Sequence, residues 1–249
     1  MSPRLSPRLL ELETKVKKLA KPERSAILQR FFKTGPGDYG AGDIFLGLMV
    51  PPARQIAKEF QDLGLVDLGQ LIRSPYHELR LFILIYHYEQ SKRHDQSKRP
   101  NPGSITAKKI ITFYLKNTKY INNWDLVDLS VYKIVGDYLV NNPKEIKILD
   151  TWARSRNLWE RRMAMIATYS FIRVGEAHPT LRLAEILLTD SHDLIQKAVG
   201  WMLREMGKSI REKLLIDFLN KHYKTMPRTS LRYAIEKLNS AERQHYLYG

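Results

Sequence analysis

The 249-residue chain contains no cysteine. That absence excludes disulfides, thiolate nucleophiles and cysteine-based zinc sites together. No run of about 18 apolar residues is present, so no transmembrane helix is indicated. The start, Met1-Ser2-Pro3-Arg4, lacks the apolar centre of a secretory signal. The seven histidines show no H-E-x-x-H or related spacing, so no metal is expected. No G-x-x-x-x-G-K-[ST] phosphate loop occurs, and no Ser-His-Asp grouping can be assembled. Strand signals are missing too: nowhere does period-two alternation persist, and no Asn-Gly hairpin appears. Acidic residues are few, with 26 Asp plus Glu against 41 Lys plus Arg and a net charge of +15. So basic a chain favours a polyanionic partner, nucleic acid ahead of an anionic membrane. The expectation is a cytoplasmic, nucleoid-associated protein that needs no cofactor and no membrane.

What is present is helical punctuation in a folded composition, 43% hydrophobic and 10% aromatic. Apolar residues recur at three- and four-residue spacing over 5–20 and 22–33, predicting two helices split at Lys21-Pro22. Further helices are expected from Pro51 to about Leu63, over 67–73, after Ser74-Pro75, and over 105–117. The segment 91–103, with Lys92-Arg93-His94 and Lys98-Arg99, reads as a mobile basic loop, either simply solvated or touching nucleic acid. Asn142-Pro143, Asn157, Ser191 and Ser209 read as cap signals, and Pro179 and Pro227 as helix starts. A literal G-x-G-x-x-G at Gly35, Gly37 and Gly40 follows a helix instead of a strand and holds Pro36 inside the turn, so it reads as a loop.

The fold expected is therefore all-α, about a dozen helices joined by short loops. Recurrent helix pairs of about 40 residues suggest a HEAT-like helical-repeat solenoid, an α-α superhelix with a concave basic groove. A compact helical bundle is the competing architecture. Residues 1–249 are taken as a single domain, with 1–20 a peripheral N-terminal helix, and as a monomer.

The stretch Ile121-Asn122-Asn123-Trp124-Asp125-Leu126-Val127-Asp128 stands out in this basic chain. With Asn122 as the helix cap, Asp125 falls at the third helical position, where a carboxylate can reach back to the cap. Trp124 and Asp128, four residues apart, lie roughly 40° from each other around the axis and share a face. That spacing gives Asp128 no capping role. The simpler alternative is a core tryptophan and a solvated first-turn acid. Arg162 follows Asp128 by 34 residues and Trp201 follows Arg162 by 39, each near one repeat step, so the four positions could line one surface. Against this, Trp201 could be core and Arg162 a surface charge.

Asn122 to Asp128, with Leu158-Trp159-Glu160-Arg161-Arg162 and Val199-Gly200-Trp201-Met202-Leu203-Arg204-Glu205, resembles the HEAT-like repeat DNA alkylation-repair glycosylases, the AlkD family. The loop from Gly35 through Phe45-Leu46-Gly47 to Pro51, and Leu231-Arg232-Tyr233-Ala234-Ile235-Glu236-Lys237, extend the likeness to about residues 25–240. The resemblance implies excision of cationic N3- and N7-alkylated purines from duplex DNA without a base-flipping pocket. By position it implies Asp128 as catalytic carboxylate, Trp124 and Trp201 as aromatic contacts to the damaged nucleotide, and Arg162 as a DNA-backbone contact. Arg161, directly beside it, leaves a one-residue ambiguity.

The chemistry is consistent with those roles. A purine alkylated at N3 or N7 already carries positive charge, so its leaving needs no general acid. One ionised carboxylate then suffices to stabilise the oxocarbenium-like sugar and place a water. Two Trp faces would favour cationic over neutral nucleotides by about 0.5–2 kcal/mol each. A non-catalytic DNA- or RNA-binding solenoid and a protein-interaction scaffold are the rival readings.

Overall fold

Helix starts in this chain are fixed by prolines and short polar side chains, which fit the first turn because its N–H groups lack intrahelical partners. The computed structural model describes residues 6–60, 62–85 and 107–249; the basic loop expected at 91–103 lies outside them. In helix α1, Pro7–Lys18, the Ser6 hydroxyl accepts from the Leu9 N–H, and Leu9, Leu12 and Val16 form the buried stripe. Helix α2, Pro22–Phe31, also opens on proline but buries none of its residues. Helices α3, Val50–Glu59, and α4, Leu65–Leu71, follow. Helix α5 covers 77–85 among the described residues. Pro75 precedes α5 in an isolated parallel bridge between Ile44 and Tyr76, not at the first helical position expected from Ser74-Pro75. Helix α6 is Ala107–Lys116 and α7 is Trp124–Val131.

The backbone divides into two compact units, one ending at Ser130 and one covering Val131–Gly249. Among the described residues the secondary structure is helical apart from that bridge, so the chain is all-α. The second unit opens with a π-wound turn, Tyr132–Gly136, running into α8, Asp137–Asn141. The Ser170 hydroxyl donates to the Tyr132 carbonyl at 2.6 Å. A side chain that takes a helix carbonyl in this way commonly accompanies a local change of winding.

The remaining helices are α9, Lys147–Ala153, α10, Leu158–Ala167, α11, Tyr169–Arg173, α12, His178–Ile186, α13, Asp193–Ser209, α14, Glu212–His222, α15, Arg228–Ala234, and α16, Ser240–Tyr248. Asn157 caps α10 as expected, accepting from the Trp159 N–H at 2.9 Å. Asn142 does not cap: its side chain donates to the Tyr138 carbonyl at 2.8 Å. The cap of α13 is His192, whose Nδ1 accepts from the Leu194 N–H. Within this unit α10 packs on α13 and α13 on α15, while α9 packs on α12. Helices α10, α13 and α15 begin at residues 158, 193 and 228, a step of 35 each. Two layers built from successive helix pairs at a fixed step are the packing of a solenoid rather than of a bundle.

Gly200 allows the tightest of these approaches. A Cβ there would overlap the Ser230 carbonyl oxygen and the Tyr233 side chain on α15. Gly200→Ala gains helix propensity of up to about 1 kcal/mol, but the overlap falls on backbone that cannot yield cheaply. We expect it to destabilise by about 1–3 kcal/mol, read as a lower midpoint of thermal unfolding followed by circular dichroism at 222 nm. An unchanged or raised midpoint would contradict this close approach.

Candidate functional site

The first turn of α7 is held by side chains that come from far earlier in the sequence. Asn123, not Asn122, occupies the cap, its Oδ1 accepting from the Trp124 N–H at 2.8 Å. Asn122 is committed elsewhere: its Oδ1 accepts from the Arg80 guanidinium at 2.5 Å and its amide donates to Asp43 at 3.4 Å. The Asn123 amide also donates to Asp43, at 3.2 Å. Asp125 has the structural task expected of it, by a different route. Its Oδ1 accepts from the Leu126 N–H at 2.8 Å, and its Oδ2 lies 2.7 Å from His77 Nε2.

Three ionisable residues at the start of α5 organise this region. His77, Glu78 and Arg80 are only 1%, 3% and 5% exposed. Buried charges persist only when paired or hydrogen-bonded, and each of these is. Glu78 accepts the backbone N–H groups of Leu46, Gly47 and Leu48 at 2.8–3.1 Å. Gly47 adopts φ +87°, which an L side chain would resist. Arg80 pairs with Asp43 at 2.6 Å, and His77 Nδ1 faces the other oxygen of Asp43 at 3.1 Å. Burial pushes the Asp43 carboxyl upward, but the hydrogen bond from His77 and the charge of Arg80 outweigh it and hold Asp43 below the usual carboxylate range. Burial likewise pushes His77 downward, yet Asp125 and Asp43 outweigh that and leave it above the ordinary histidine value.

On this platform sit Trp124 and Asp128, both half-buried. The Trp124 ring stacks on Phe32 at a centroid distance of 4.9 Å and 15°, and meets Phe31 edge-on at 5.8 Å. Phe31 is 62% exposed at the end of α2. Asp128 lies one helical turn beyond Trp124. Its charge reaches Tyr114 of α6: burial first, and then Asp128, push that phenol well up, against a hydrogen bond between the Tyr114 and Ser130 hydroxyls at 2.9 Å.

The second unit carries the other sequence candidates. Arg161 of α10 pairs with Asp190 at 2.7 Å and donates to the carbonyls of Ser155 and Arg156. Arg162 is 5% exposed and donates to the Leu194 carbonyl in the first turn of α13. Trp201 is half-buried on α13 beside Gly200. Counted along their own helices, Asp128, Arg162 and Lys197 are each the fifth residue of α7, α10 and α13, and Trp201 lies one turn beyond Lys197.

Sequence reasoning passed over Asp43, His77, Glu78 and Arg80. The available signal was three ionisable residues set directly against the apolar run Leu81-Phe82-Ile83-Leu84-Ile85. A carboxyl held low stabilises the fold fully above its ordinary value near 3.9 and loses that contribution as pH falls through the lower folded value. Asp43→Asn should therefore flatten the acid limb of a stability–pH curve measured by urea unfolding. It should also cost about 3–5 kcal/mol at neutral pH, because the buried partner charges remain. An acid limb as steep as in the parent protein would contradict the network.

A family model described as DNA alkylation repair enzyme matches residues 12–238. No curated protein matches the chain. Among solved structures, a protein from Enterococcus faecalis described as a predicted DNA alkylation repair enzyme superposes with a TM-score of 0.68 at 17% identity, covering 89% of this chain and 97% of that one. A protein from Streptococcus mutans UA159 superposes with a TM-score of 0.53, also at 17% identity, covering 93% of this chain and all of that one. At such identity the two structures speak for the fold alone. The family match, extending over nearly the whole sequence, decides the relationship: this chain belongs to the DNA alkylation repair enzyme family.

Proposed function

We propose that the protein is a monofunctional DNA glycosylase acting in base excision repair, which hydrolyses the N-glycosidic bond of cationic N3- and N7-alkylated purines in duplex DNA. The observation that carries this reading is the split between two acids on one helix. Asp125 is tied to His77, whereas Asp128 lies on the Trp124 face of α7, one turn further on. Such a carboxylate stabilises positive charge developing on the sugar and orients water, which is all that a pre-charged leaving base requires.

In this reading Trp124 lends a π-face to the cationic nucleotide, and its stacking on Phe32 fixes the ring beforehand. Trp201 and Arg162 are the second unit's candidate DNA contacts. Of the two arginines, Arg162 shares the fifth helical position with Asp128 and is the candidate for the phosphate, at its small exposed edge, while Arg161 pairs with Asp190. A net charge of +15 supplies the non-specific attraction. The working unit is a HEAT-like repeat domain over 1–249, acting as a monomer.

Duplex DNA treated with a methylating agent, assayed for released 7-methylguanine, tests the reading. Asp128→Asn should reduce release by about 10²–10³-fold while folding and affinity for undamaged duplex hold. An active Asp128→Asn protein would sink the mechanism, and a parent protein that binds DNA but releases no base would favour the binding-only alternative. Trp124→Ala and Trp201→Ala should each cost roughly 2–30-fold on cationic lesions; equal losses on undamaged duplex would point to core roles. Arg162→Ala should lower the salt slope of binding by about 1 and Arg161→Ala should not.

A further inference from the structure

His77 sits where α5, the loop carrying Asp43 and Phe45, and the first turn of α7 meet. Its two ring nitrogens face two different carboxylates, Asp43 Oδ2 at 3.1 Å and Asp125 Oδ2 at 2.7 Å. An ionised carboxylate only accepts hydrogen bonds, and a neutral imidazole has one N–H and one lone pair. A neutral ring would therefore turn a lone pair onto one of the two oxygens. An imidazolium donates to both.

Charge balance points the same way. Asp43 and Asp125 carry two negative charges, Arg80 supplies one positive charge at 2.6 Å from Asp43, and protonated His77 supplies the second. A neutral His77 would leave the half-buried Asp125 without a cationic partner beside the buried Asp43–Arg80 pair, which is costly. The ring faces are covered by Phe45, stacked at 4.2 Å, and Phe32, at 5.4 Å. Glu78, next along α5, is turned to the N–H groups of Leu46, Gly47 and Leu48. Phe32 touches His77 on one side and stacks on Trp124 on the other.

We propose that His77, as an imidazolium bridging Asp43 and Asp125, is a positioning residue that sets the first turn of α7 and, through Asp125 and Phe32, the ring of Trp124, so that this site is competent only while His77 is protonated. The activity arm of this proposal rests on the glycosylase reading; the structural arm does not.

The sign is fixed by the direction of the shift. A histidine held above its ordinary value contributes fully below about pH 6.5 and loses that contribution as pH rises through the folded value. Base excision should then fall on the alkaline side, to about a tenth of its plateau one pH unit above the His77 midpoint.

The test is a pH titration of the full chain labelled with ¹⁵N-histidine and ¹⁵N-tryptophan, the His77 signals being assigned by His77→Gln. The expected result is a His77 ring protonated on both nitrogens at pH 7, with the Trp124 indole N–H signal, assigned by Trp124→Phe, moving at the same midpoint. A neutral ring at pH 7, or a Trp124 signal that ignores the His77 transition, overturns the proposal. Asp125→Asn should lower the His77 midpoint and carry the alkaline limb of base release down with it. A limb that stays in place while the midpoint moves overturns the positioning role. Should the parent protein release no base, the glycosylase reading fails alone, and the titration of the unsubstituted protein, for which substitutions serve only to assign signals, still decides the role of His77.

Discussion

Removing ions from water costs several kcal/mol each, and the cost is recovered only where opposite charges and hydrogen bonds saturate one another. The first unit places four ionisable side chains in one cluster, Asp43, His77 and Arg80 buried and Asp125 half-buried, joined by contacts of 2.6–3.1 Å. Two come from one turn of α5, one from the loop before α3 and one from α7. Because no member can be removed without stranding the others, the cluster fixes the register of three chain segments at once. Glu78 extends the arrangement by gathering three consecutive N–H groups of the loop, so a segment with little regular structure has these donors satisfied by one side chain.

The candidate site depends on that register. Trp124 and Asp128 stand on either side of Asp125 in sequence, and the Trp124 ring continues a row of aromatic contacts running from Phe45 through Phe32. A catalytic carboxylate serves only if its geometry is set before substrate arrives, and a helix whose first turn is bolted to two other segments meets that need. The two acids of α7, both half-buried, separate by position: Asp125 is tied to His77, and Asp128 lies on the Trp124 face one turn further on.

The second unit solves a different problem by repetition. Its helices recur at steps of 35 residues, so equivalent positions are presented repeatedly along one layer. Two arginines adjacent in sequence on α10 illustrate how burial sorts similar residues. Arg161 is paired with Asp190 across a loop, whereas Arg162 is directed at the carbonyl end of a peptide in α13.

Caps, prolines and the three- to four-residue apolar period belong to local backbone physics, so the all-α class, most helix boundaries and the pairing of Trp124 with Asp128 on one face were legible from the sequence. Local rules also found a structural duty for Asp125, but they named Asn122 as the cap where Asn123 serves, and a back-reaching capping bond where His77 is the partner. Those errors share one cause. The competing partners, Asp43, His77 and Arg80, lie about 40 to 80 residues away in the chain, and nothing in a window of one or two helical turns contains them. Which ionisable residues are buried, and against what, is decided by long-range packing. The sequence determined the helices and the face that Trp124 and Asp128 share; only the tertiary structure decided which charges meet to hold that face in place.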